Sequence, residues 1–135
     1  MAINELILYL RLAQAFKNKL QLSDRDRALI LAATAATFLQ LPEVAEFCRQ
    51  LVLQRNPGHM MRKWESFAAA LGDGDFGFFL KQVLRKMPVE RAEVKLIELN
   101  YQCDVRAEDY ETDMDYAAAV MGVDSQWLRE NYGAG

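Results

Sequence analysis

With 135 residues, 52% of them hydrophobic and 26% charged, the chain holds enough apolar material for one real core and is too apolar to be disordered throughout. A formal net charge of −3 and a pI near 5.2 exclude a global electrostatic footprint for nucleic acid. The charge is nonetheless uneven: residues 1–97 carry 14 Lys and Arg against 10 Asp and Glu, net +4, while residues 98–135 carry 2 against 9, net −7. Such asymmetry often marks an interaction surface or a self-docked tail.

Nearly the whole chain follows a helical period, and no run alternates cleanly enough for a strand. The expectation is an all-α compact bundle of about seven or eight helices, with stacked helical hairpins as one arrangement open to it. The N-terminus, Met1-Ala2-Ile3-Asn4-Glu5, lacks the basic start of a leader. Helix one is expected over 3–20, with Leu6, Leu10, Phe16 and Leu20 on one face. Ser23 is a plausible N-cap for helix two, with Asp26 in the capping-box position. Helix two, reaching about residue 39, is apolar on nearly every side and should lie centrally. Its most apolar stretch, 28–39, is 12 residues long, whereas a membrane span needs roughly 20.

Pro42 suits the first turn of helix three, which should bury Val44, Phe47 and Cys48 and stop before Pro57. The spacing of Ala45 and Pro57 resembles the second helix of a tetratricopeptide-like repeat, but Pro88 misses the next position by three residues. Helix four is expected from His59 to Leu71, with Gly72 as its C-cap. Helix five, over 76–87, turns Phe76, Phe79, Leu80, Val83 and Leu84 inward and a basic face outward; Pro88 opens helix six. A polar, acidic loop follows at about 102–113. A C-terminal helical hairpin over about 113–132 then places Gly122 between helices seven and eight. With no Ser- or Gly-rich linker, residues 1–135 read as a single helical domain.

Several motifs resemble chemistry without completing it. Gly72-Asp73-Gly74-Asp75-Phe76-Gly77 has dinucleotide-loop glycines, but a helix rather than a strand precedes it and its two acids would repel phosphate. A C-cap, a turn and an acidic helix start explain it. Cys48, His59 and Cys103 are the strong soft-metal ligands and lack finger or ribbon spacing, so no metal or other cofactor is expected. Two cysteines in a chain this long do not make a disulfide scaffold, and a reducing, cytoplasmic location follows most simply. Asp109, Glu111, Asp113 and Asp115 mimic part of a calcium loop, but Met114 and Val120 occupy the places of its Gly and its bidentate Glu. No serine sits in a strand–turn–helix elbow, and no coherent catalytic set emerges.

Two surfaces remain. Helix five is a basic amphipathic helix, and helical spacing groups Phe78 with Gln82 and Arg85 off the core stripe; Phe78, Lys81, Arg85 and Lys86 are the candidate residues for anchoring a protein partner. The run Tyr116-Ala117-Ala118-Ala119-Val120-Met121-Gly122-Val123-Asp124-Ser125-Gln126-Trp127-Leu128 resembles a helix-turn-helix of the kind many DNA-binding regulators use. That resemblance implies base reading by Gln126, Arg129 and Asn131, although the surrounding sequence is net negative. The preferred expectation is a non-catalytic protein-interaction or regulatory module, binding an unknown partner or itself. A DNA-binding regulator is the alternative, and a small enzyme or ligand carrier with an inter-helix pocket is third.

Overall fold

The structure, a computed structural model, describes residues 3–133. Eight α-helices form a compact bundle, and no strand occurs among the described residues: α1 (Ile3–Asn18), α2 (Leu22–Phe38), α3 (Pro42–Arg55), α4 (Phe67–Leu71), α5 (Gly74–Lys86), α6 (Val89–Glu98), α7 (Asp113–Val120) and α8 (Ser125–Tyr132). Helix α2 is central, packing against α1, α3, α4 and α5. Every residue from 28 to 36 is buried, and five of them are alanines, whose small side chains let neighbouring backbones approach closely. Helices α6 and α7 pack on α1, and α8 packs on α3 and α7. One continuous apolar cluster runs from Leu6 in α1 to Leu128 in α8.

Three turns share one hydrogen-bond pattern. After α1, Leu20 N donates to Lys17 O and Gln21 N to Phe16 O; after α2, Gln40 N donates to Thr37 O and Leu41 N to Ala36 O; after α7, Gly122 N donates to Ala119 O and Val123 N to Ala118 O. Each is a Schellman cap with its pivot in the left-handed region, at φ 59° for Leu20, 61° for Gln40 and 75° for Gly122. This geometry corrects two expectations. Leu20 leaves the inner face of helix one and stands 83% exposed. Helix α2 begins at Leu22 rather than after a Ser23 cap, because the turn itself sets its start.

Asp26 is no capping-box acid either. It is 4% exposed and accepts bonds from Arg25 Nε at 3.3 Å and Nη2 at 3.0 Å on one oxygen, and from Arg55 Nε at 2.7 Å and Nη2 on the other. Arg25 Nη2 also donates to Leu51 O at 3.1 Å. The cluster thus ties the start of α2 to α3.

The expected continuous fourth helix is broken into a 3₁₀ turn, Met60–Lys63, and the short α4. Side chains of α3 take the backbone groups that a continuous helix would use. Arg49 Nη2 donates to Trp64 O, and Phe67 N donates to Glu46 Oε1 at 2.6 Å. His59 Nδ1 caps the 3₁₀ turn by accepting from Met61 N at 3.1 Å, and Ser66 Oγ caps α4 through Ala69 N at 3.0 Å. In α5, Val83 takes the buried position. Leu84, expected inward, lies about 100° further around the helix and is 39% exposed. The glycine-rich loop is a helix junction: Gly72 ends α4, and Asp73 Oδ1 caps α5 by accepting from Asp75 N at 2.8 Å. No helix of the described residues is long and apolar enough to cross a membrane.

Candidate interaction groove

A concavity of about 440 Å³ lies where α5 hands over to α6 beside α1 and the start of α2. Its position follows from local chemistry. Pro88 ends α5 by withholding an N–H and starts α6 as its N-cap. Tyr9 of α1 fixes this junction by donating its hydroxyl to Met87 O at 2.9 Å. Burial, with smaller contributions from Glu5 and Glu90, pushes the Tyr9 phenol up to about 12, so the donor keeps its proton throughout the physiological range.

The floor is apolar, built from Leu12, Phe16, Ala28 and Met87. Around it stand four cations, Arg27, Lys86, Arg91 and Lys95, with two carboxylates, Asp24 and Glu98. Arg27 pairs with Asp24 at 3.1 Å and Lys95 with Glu98 at 3.6 Å, both on exposed surface. Such pairs contribute at most about 1 kcal/mol and exchange readily with a competing carboxylate. Lys86 and Arg91 have no carboxylate within 4.0 Å among the described residues. Helix α6 docks on α1 through Ala92, fully buried, and leaves Val94 56% and Ile97 79% exposed. Two cations, Arg91 and Lys95, therefore share one helix with uncovered apolar surface and with Glu90, Glu93 and Glu98.

Of the residues singled out on α5, Lys86 lines this groove; Phe78, Lys81 and Arg85 are exposed on the same helix outside the lining. Phe78 is 68% exposed, about two helical turns before Lys86. Arg27 was not legible as their companion. It is separated from Lys86 by two intervening α-helices and a 3₁₀ turn, and only tertiary packing brings the two to one cavity.

The C-terminal hairpin forms as α7, a turn and α8. Gln126, Arg129 and Asn131 are exposed, but Gln126 Nε2 donates to Glu130 Oε1 at 3.1 Å and Asn131 Nδ2 to Trp127 O at 2.9 Å. The start of α8 is occupied by Asp124, whose carboxylate accepts from Gln126 N at 2.7 Å and Trp127 N at 3.4 Å. Asp115 accepts from Ser125 Oγ, a bond that holds its carboxyl below the usual range with help from Thr112. Leu128 is buried, and Trp127 packs edge-on against Phe47 of α3 at 5.3 Å.

The soft-metal candidates do not assemble. His59 serves the 3₁₀ turn and packs edge-on against Phe79 at 5.8 Å. Cys48 is fully buried, and burial pushes its thiol up to about 12. Cys103 sits beside Tyr101, whose phenol is raised to about 12 by burial and then by that thiol. Among the described residues, no three His, Cys, Asp or Glu side chains converge as a metal site.

No known protein family, curated protein or solved structure matches this chain. The groove's own chemistry is therefore the guide to function.

Proposed function

We propose that this chain is a non-catalytic interaction module whose groove between α1, α2 and the α5–α6 junction receives an acidic segment of a partner protein with apolar anchors. The observation that carries this reading is the groove's lining: an apolar floor ringed by Arg27, Lys86, Arg91 and Lys95, two of them with no acid partner among the described residues. Carboxylates on the partner would pair with Lys86 and Arg91, while its apolar side chains cover the floor and the exposed Val94. Phe78, Lys81 and Arg85 extend the same basic, aromatic character along α5 and offer a second point of attachment. The groove offers cations and apolar contact rather than a nucleophile with its base. Two free thiols suit a reducing, cytoplasmic setting.

Selection from a random peptide library tests this directly. Enriched sequences should combine Asp or Glu with Leu, Ile or Phe, and binding should fall at least tenfold in the Lys86→Glu, Arg91→Glu double variant. Enrichment of neutral or basic peptides, or binding indifferent to that double reversal, would overturn the reading.

A second reading, DNA recognition through α8, draws on the tight turn at Gly122 and the exposure of Gln126 and Arg129. It has less support, because Asp115, Asp124 and Glu130 surround the helix that would approach phosphates. Duplex binding at low salt that disappears in Gln126→Ala and Arg129→Ala would favour it over the groove.

A further inference from the structure

A separate cavity of about 240 Å³ lies between α1, α2, α3 and the turn joining α7 to α8. Leu10, Leu29, Phe47, Leu51 and Met121 supply apolar walls. Its polar groups are Gln14, Lys17 and Arg25, and no carboxylate lines it. Lys17 is exposed and so stands at the solvent edge, whereas the Arg25 side chain is only 12% exposed and lies within.

Arg25 is under-compensated. It shares the single carboxylate of Asp26 with Arg55, so two guanidinium groups face one buried anion and the cluster keeps a net charge of +1. Its Nε and Nη2 are engaged by Asp26 and Leu51 O, while Nη1 has no protein acceptor among the described residues and is not sealed from solvent. A guanidinium largely removed from water and left partly uncompensated favours an incoming anion. From this we infer that the cavity binds a small amphiphilic carboxylate, its headgroup between Arg25 and Lys17 and its aliphatic chain along Leu10, Leu29 and Leu51. Ordinary ligand pockets span roughly 300–1,000 Å³, so the smaller volume here selects a short chain. The site shares no residue with the α5–α6 groove and stands or falls independently of it.

The probe is octanoate below its micellar range, titrated calorimetrically against the full chain, with octan-1-ol as the uncharged comparison. Octanoate should bind with one site per chain and raise Tm, and octan-1-ol should bind at least tenfold more weakly. Lys17→Glu, at an exposed position, should weaken octanoate at least fivefold and leave octan-1-ol unchanged. Val123→Trp, which fills the cavity from the α7–α8 turn, should abolish binding of both. No octanoate binding, equal binding of acid and alcohol, or octanoate binding undiminished in Val123→Trp would each overturn the assignment.

Discussion

In α2 every residue from 28 to 36 is buried, whereas α6 buries Ala92 and leaves Val94 and Ile97 largely in solvent. The two helices differ equally in their charges. Arg25 at the start of α2 and Arg55 at the end of α3 converge on the buried Asp26, while Lys86 and Arg91 at the α5–α6 junction stand open. One region spends its chemistry on holding the bundle together. The other carries apolar and cationic surface that the fold does not consume.

The sharpest way to break this contrast is Asp26→Asn. Removing the shared carboxylate leaves two cations without an anion at a buried site, and stability should fall by about 3 kcal/mol, the low end for a broken buried ion pair because Arg55 stays a third exposed. Urea denaturation measures it, and a loss under about 1 kcal/mol would mean that water already reaches the cluster. The three Schellman turns come next. A Cβ added at Gly122 meets no atom within 4 Å, so Gly122→Ala should cost about 1 kcal/mol from the left-handed backbone alone. Leu20→Gly should stabilise by about the same amount, since it relieves φ 59° and loses no buried contact.

A smaller effect is expected from pH. Burial lowers the His59 pKa below its ordinary 6.5, with Arg55 acting in the same direction and Asp26 opposing. Its contribution is therefore complete above 6.5 and is lost as pH falls towards the lowered folded-state value. His59→Gln should lose less stability than the natural chain between about pH 7 and pH 5. Equal losses would remove His59 as the source. Least affected should be the Lys86→Glu, Arg91→Glu variant, whose stability should stay within about 0.5 kcal/mol per site of the natural chain while its peptide binding collapses.

How much of this was legible beforehand depends on the range of the forces involved. Periodicity and local caps located α5 to α8 closely, because Pro88, Gly72 and Gly122 act on their immediate neighbours. The break at Trp64 was hidden because its causes, Glu46 and Arg49, lie on another helix. Asp26 looked like a cap because an acid three residues after a serine is indistinguishable, in sequence, from one awaiting Arg55. Of the groove, the sequence singled out only Lys86; Arg27, Arg91, Lys95 and the apolar floor come together only when α1 and α2 pack beside the α5–α6 junction.

The most direct test of the groove is hydrogen exchange of the full chain with and without a library-selected acidic peptide. Binding in the groove should slow exchange at the C-terminal turn of α5 and along α6, leaving α8 unchanged. Protection confined to α8, or none along α5 and α6 while the peptide is bound, would contradict the account.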